Sequence, residues 1–271
     1  MKSKINTYSV YKFATSIAIF STIILGISSC TTDADFSKLS ADEAYNYAEK
    51  QFEKENYVSA AEAYLSIDKN YPYSTLATTS LLKGAFAYYK DNKFTDALDM
   101  IYKFLTIAPN SPESPYAHYL QTLCYLEQLD DYRRDQSATI DALKSIEYMQ
   151  KNYPDSVYIK ELTPHIQILQ NQLAAKILQT GKEELRINNF TAAINNFQSV
   201  ISKYPKSDIV PEVLYRLIEV YTSMQLSEIR TKIYERMQND FSENVWTTRA
   251  KNLIEKYSIS DATPDSQSLQ N

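Results

Sequence analysis

The chain has 271 residues, 44% of them hydrophobic, and a formal net charge of −5. That is enough apolar material for a folded core, and the acidic balance argues against general nucleic-acid binding. Twenty-three tyrosines stand beside only three glycines, which suits packed helices and ill suits an α/β enzyme built on glycine-rich turns.

Residues 1–29 read as a removable leader. Lys2, Lys4 and Lys12 flank an apolar run over 13–27 that holds no charge, and no acid occurs in the whole segment. The run is too short to span a bilayer comfortably and fits the core of a signal peptide. It closes with Ile27-Ser28-Ser29-Cys30, which resembles the lipobox of bacterial lipoproteins. That resemblance implies cleavage before Cys30, a diacylglycerol on its sulfur and an N-acyl chain, with no other cofactor. Three lysines and no acid leave with the leader, so the net charge of −5 becomes −8. An acidic body is not drawn to anionic lipid, so the acyl chains are the expected membrane contact. Threonine rather than aspartate follows the cysteine; by the same resemblance this implies the outer membrane, with the chain facing the periplasm. Residues 30–40 read as a lipidated flexible tether.

The folded part is marked out by a recurring stretch. Asn70-Tyr71-Pro72-Tyr73-Ser74, Asn152-Tyr153-Pro154-Asp155-Ser156 and Lys203-Tyr204-Pro205-Lys206-Ser207 are copies, with a worn one at Ala108-Pro109-Asn110-Ser111 and another at Asp240-Phe241-Ser242. Proline stops a helix near the preceding aromatic, and the serine two residues on is placed to cap the next one. Counting back from Pro72, Pro109 and Pro205, the offsets −15, −12, −8 and −5 hold Tyr57, Ala60, Tyr64 and Ile67; Phe94, Ala97, Ile101 and Phe104; and Phe190, Ala193, Phe197 and Val200. Those offsets share one helical face, with a small residue in second place. The pattern resembles the second helix of a tetratricopeptide repeat.

In chain order, Ser40-x-x-Glu43 is a capping box that opens repeat one at 41–74, and repeat two covers 75–111. Repeat three is irregular, with helices over 115–129 and 137–152 around a charged insertion at 130–136. Repeat four has a long lead-in helix that carries Pro164 and runs to Ile187, then a helix over 190–203. Repeat five covers 208–240, and a last helix over 245–257 holds Trp246. Residues 258–271 are a polar tail expected to be disordered. The predicted fold is all-α: a right-handed solenoid of about five helix pairs plus a C-terminal helix.

Little in the chain suggests catalysis or metal. His118 and His165 lack a second ligand at metal spacing, and no phosphate-binding or nucleophile motif occurs. Glu183-Glu184 and Asp130-Asp131 read as solvated charge runs. Once Cys30 is modified only Cys124 remains, in an apolar helical run where a core thiol is expected. No enzymatic activity is expected.

Two stretches narrow the family. Tyr116-Ala117-His118-Tyr119-Leu120-Gln121-Thr122-Leu123 follows Ala108-Pro109-Asn110-Ser111-Pro112, and Arg134-Asp135-Gln136-Ser137 precedes Ala142, Ile146 and Tyr153-Pro154-Asp155-Ser156. With Ala87-Tyr88-Tyr89-Lys90, they resemble the BamD family, lipoprotein subunits of the machine that assembles β-barrels in the outer membrane. The resemblance covers roughly 40–257, although Ala108 and Thr122 stand where the family usually has histidine and glycine. It implies an N-terminal half (41–157) that binds unfolded barrel precursors and a C-terminal half (158–257) that docks the barrel-forming subunit through its periplasmic domains. Other assembly lipoproteins are further expected partners. First helices line the inner face of such a stack, and their outward positions here are Tyr45, Glu49, Leu82, Phe86, Tyr89, Tyr116, Tyr119 and Leu123. An aromatic groove of that kind grips extended peptide without reading one sequence. For docking, the candidates are Arg134 and Asp135 in the insertion, then Arg186, Tyr215, Arg216 and Glu219.

Two other readings of a periplasmic repeat lipoprotein are open. A cell-envelope coordinator would carry a coiled-coil segment ahead of the repeats, and no heptad pattern stands there. A glycan-binding lipoprotein would carry its sugar site on long insertions, and those here are short.

Overall fold

A computed structural model describes residues 36–261. The leader, Cys30 and the tail from 262 lie outside the described residues. Phe36–Lys38 form one turn of 3-10 helix within an N-terminal unit of its own. The chain from Ser40 onward forms a second unit, helical throughout among the described residues.

The helices pair as the repeats require. α1 (Ala41–Glu53) and α2 (Tyr57–Asn70) are followed by α3 (Thr75–Lys90) with α4 (Phe94–Ile107), then α5 (Ser114–Glu127) with α6 (Ser137–Asn152). Next come α7 (Ile159–Arg186) with α8 (Phe190–Lys203), α9 (Val210–Ser223) with α10 (Ser227–Asp240), and α11 (Val245–Asp261). From α1 to α10 each packs chiefly on its neighbours in the chain, as in a helical solenoid, while α11 packs mainly on α9. The last helix runs to Asp261, four residues beyond the expected end at Tyr257.

The helix stops are local chemistry. α2, α4, α6 and α8 each end two residues before a proline, and the residue between, Tyr71, Ala108, Tyr153 or Tyr204, turns to φ −129° to −135°. The starts are less uniform than the sequence suggested. Ser40 forms the full capping box with Glu43, and Ser74 caps α3 through the Leu76 amide. Ser111 and Ser207 instead accept from Glu113 and Ile209, two residues on, and α5 and α9 begin only after one further turn. There the serine shapes the loop rather than the helix end.

Inside, the small second-place residues Ala60, Ala97, Ala142 and Ala193 are fully buried, so paired helices approach closely. Gly181 is part of the same fit: a Cβ there would stand 2.8 Å from Cδ1 of Phe197. α7 belongs to two cores at once. Leu162 and Leu169 from its first half pack with Ala142, Ile146 and Met149; Ala174 and Leu178 from its second half pack with Ala193, Phe197 and Val200. Pro164 lies within the second turn of α7, close enough to the helix start that few carbonyls lose a donor.

Four of the five intra-pair turns place a residue in the left-handed region: Glu55, Asn92, Asn188 and Gln225, at φ 59–61°. Asparagine tolerates this conformation and glutamate does so poorly. Glu55→Gly is therefore expected to stabilise the chain by about 1 kcal/mol in thermal or urea unfolding, whereas Asn92→Gly should change little.

Candidate functional site

The first helices of repeats one to three enclose a cavity of about 360 Å³, within the usual range for a ligand pocket. Its walls come from α1 (Glu49, Phe52), α3 (Thr78, Thr79, Leu82, Lys83, Phe86) and the start of α5 (Glu113, Tyr116), with Tyr64 of α2 and Phe104 of α4 reaching it from the second helices. Tyr64 and Phe104 are almost wholly buried. Each is a core position of its repeat whose inner edge doubles as cavity wall.

Aromatic rings continue the wall in both directions. Phe52 stacks on Phe86 at 5.8 Å between centroids, and Phe86 on Tyr89 at 6.4 Å. On the far side Tyr116 meets Tyr119 and Tyr158, and Tyr119 lies flat against Tyr158 at 4.6 Å. The Tyr119 hydroxyl donates to Glu161 at 2.6 Å. Tyr45 sits edge-on to Tyr64 at 5.6 Å.

One polar cluster interrupts this apolar surface. Lys83 Nζ donates to Glu49 Oε1 at 2.7 Å, the Tyr64 hydroxyl donates to the same oxygen, and the ammonium lies 5.1 Å from the Tyr45 ring centre. Burial alone would raise the Glu49 pKa; the hydrogen bonds from Lys83 and Tyr64 outweigh it and hold the carboxyl below its usual 4.5. A depressed carboxyl stabilises the fold above its ordinary pKa, and that contribution fades as acidification passes it. Burial and the Glu49 bond push the Tyr64 phenol far up, so it is a hydrogen donor at every working pH.

Seven of the eight groove candidates therefore belong to one wall or its continuation. Leu123 does not. It packs into the cluster that Tyr125, Ile146 and Met149 build with Leu162 and Leu169 of α7, because that 28-residue helix extends back over repeat three. Sequence reasoning missed Phe52, Tyr64, Lys83 and Tyr158. Phe52 was legible, standing where Tyr89 stands in the next repeat; the Lys83–Glu49 pair joins residues 34 positions apart and carried no local signal.

The docking candidates fall in three places. Tyr215, Arg216 and Glu219 form a cluster on α9: Arg216 bonds Glu219 at 2.7 Å and Glu212 at 3.2 Å, and stacks 5.3 Å from the Tyr215 ring and 5.4 Å from Trp246 of α11. Burial disfavours the Arg216 charge, but the two carboxylates more than restore it. Lys182 ties the cluster to α7 through Glu212, and Arg249 also lies over the Trp246 ring, 4.4 Å from its centre. Arg134 and Asp135 lie apart, in the exposed insertion. Arg134 bonds Asp130 at 2.8 Å, Asp135 accepts from the Ser137 amide, and Arg133 holds the Asp131 carboxyl down to about 2. Buried Gln136 pins this loop by donating to the carbonyls of Asp131 and Asp135, while Lys176 fastens it to α7. Arg186 is exposed at the end of α7.

Half-buried His118 packs against Tyr148 and Tyr153, and burial lowers its pKa. Thr122 fills its place by bonding the His118 carbonyl and the Ser145 hydroxyl. Cys124 is buried, and burial pushes its thiol up to about 12. The folded protein should thus resist alkylation by iodoacetamide at pH 8, and urea should expose the thiol; rapid native labelling would contradict its placement. No described helix is long and apolar enough to cross a membrane.

Residues 37–237 match the family model YfiO, described as an outer membrane lipoprotein. The chain is 29% identical over 210 residues to the outer membrane protein assembly factor BamD of Caulobacter vibrioides, covering 78% of this chain and 69% of that one. It is 27% identical over 237 residues to the protein of the same name from Rickettsia prowazekii, covering 87% and 94%. The corresponding protein of Neisseria meningitidis serogroup A is 26% identical, over 83% and 91%.

Proposed function

The chain belongs to the YfiO family of outer-membrane lipoproteins, and from that premise we propose that it is a non-enzymatic assembly factor that helps β-barrel proteins fold and insert into the outer membrane. Acyl chains on Cys30 anchor it, and residues 30–40 let the solenoid reach into the periplasm. The N-terminal repeats hold unfolded barrel precursors. The C-terminal repeats dock the barrel-forming subunit through its periplasmic domains, and other assembly lipoproteins join the complex.

The observation that carries this reading is the aromatic-walled cavity across repeats one to three, set in a chain whose full-length relatives are named for outer-membrane protein assembly. An apolar cleft with one latched lysine suits an extended, aromatic-ended segment better than a sugar, which needs many polar partners. The relatives' shared name likewise favours assembly over the envelope-coordinator and glycan-binding readings.

The test is depletion of the protein in its own cells, with the folded outer-membrane barrels followed by their heat-modifiable migration. Their level should fall as the protein is lost and return with the wild-type chain but not with Cys30→Ala. Unchanged barrel levels on depletion would sink the reading.

A further inference from the structure

Three junctions between successive repeats carry the same notch on the second-helix side of the stack. A tyrosine of the first helix, sixteen residues past the loop proline, lines each one: Tyr88, Tyr125 and Tyr221. The second helix that follows lines it from equivalent places. These are Asp96, Met100 and Lys103 in repeat two, and Asp141, Ser145 and Tyr148 in repeat three. In repeat five they are Ile229, Ile233 and Arg236. The three notches measure about 170, 280 and 390 Å³.

The first two are bridged by their own chain. Lys103 reaches across to Asp68 of α2, and the hydroxyls of Tyr102 and Tyr125 bond each other. Between repeats four and five the same places hold different chemistry: Ile201 stands where Asp68 does, and Gln198 where Tyr102 does. Arg236, in the place of Lys103, turns to Asp240 on its own helix at 3.3 Å, and Lys232 turns to Glu228 at 2.7 Å. Both cations line this notch, and no described carboxylate does. Ile229 replaces the aspartate of repeats two and three and is 41% exposed. With Leu226 and Ile233 it makes an apolar stripe at i, i+3 and i+7 along α10. A wide apolar notch rimmed by cations marks an interaction surface, where the narrower acidic ones are seams of the stack.

We propose that this notch docks a segment of another subunit of the assembly complex. That segment sets an apolar side chain over Tyr221 and Ile229, beside an aspartate or glutamate that meets Arg236 and Lys232. The inference rests on the assembly reading, which supplies the partner; the missing acid supplies its chemistry. At the first junction the fold meets the cation at this place with Asp68 of its own chain, and here the partner's carboxylate takes that part. The exposed pairs with Asp240 and Glu228 contribute little, so either cation exchanges its acid at small cost. No residue of the Tyr215–Arg216–Glu219 cluster lines the notch, so the two surfaces are separable by mutation.

The test uses the full-length, lipidated chain, tagged, expressed in its own cells and purified in detergent, with every co-purified assembly subunit quantified. Wild type is compared with Ile229→Asp, which restores the residue of repeats two and three, and with Arg236→Glu. Recovery of one subunit should fall about tenfold in both variants. Both side chains are well exposed, so melting temperatures should match wild type. A photocrosslinking amino acid at exposed Gln198 should join that same subunit, at a peptide where an apolar residue adjoins an acid. Wild-type recovery of every subunit in both variants would overturn the proposal. So would a crosslink confined to lipid or to a second copy of this chain, or a lower melting temperature in both variants, which would make the notch part of the core. If the wild-type chain recovers no assembly subunit at all, the assembly reading fails first and this inference falls with it.

Discussion

Phe197→Ala will cost the fold about 3–5 kcal/mol, the usual penalty for emptying a fully buried aromatic site. Phe197 is 0% exposed, and its ring fills the hollow that Gly181 leaves on α7. It also stands in the cluster that joins repeat four to Val213 and Leu217 of repeat five, so the loss reaches both repeats. The rigid contact with Gly181 leaves little room for collapse. Urea unfolding of the leaderless chain measures the effect. Gly181→Ala in the wild-type background should destabilise by about 1–3 kcal/mol through overpacking. With Phe197→Leu the same Gly181→Ala change should cost less, because the methyl enters space the smaller side chain vacates. Additive costs in the double variant would mean that the two residues do not share one contact.

The second large effect is on binding. Phe52→Ala/Phe86→Ala removes the stacked pair that forms the aliphatic-to-aromatic wall of the N-terminal cavity. Each ring is half-buried, so the fold should lose little. A ring contact of this kind contributes about 1 kcal/mol, and losing both should weaken an extended, aromatic-ended peptide roughly thirtyfold. Calorimetric titration of the leaderless chain with a peptide of alternating apolar residues ending in phenylalanine is the measurement. Tyr148→Ala, on a different surface beside His118, should leave the affinity unchanged. A double variant that binds as well as wild type would place the peptide elsewhere.

How much of this was legible in the sequence follows from how local each signal is. The prolines after Tyr71, Tyr153 and Tyr204 act on their own helix ends, so helix bounds could be read within a few residues. The alanines and Gly181 mark close approach by their size alone. Interactions between repeats were harder to read. Leu123 lies on the same helical face as Tyr116, and only the length of α7 turns that position from groove to core. Even within repeat one the contact was not local: Tyr64 was recognised as a core residue, yet its hydroxyl reaches Glu49 beneath the groove, a pairing set by how α1 and α2 pack. In the C-terminal half, the Glu212–Arg216 spacing of four residues announces a helix-surface pair. The tryptophan that stacks on Arg216 comes from α11, which no local pattern connects to α9.

The central claim is that this solenoid works as a scaffold of outer-membrane barrel assembly, and the most direct measurement is affinity purification of the full-length, lipidated protein from detergent-solubilised membranes of its own cells, with mass spectrometry of what accompanies it. A large outer-membrane barrel protein with periplasmic domains should co-purify in near-stoichiometric amount. Recovery of a sugar transporter or a peptidoglycan-associated complex in its place would contradict the account and leave the helical repeat fold and the family membership standing without the assigned role.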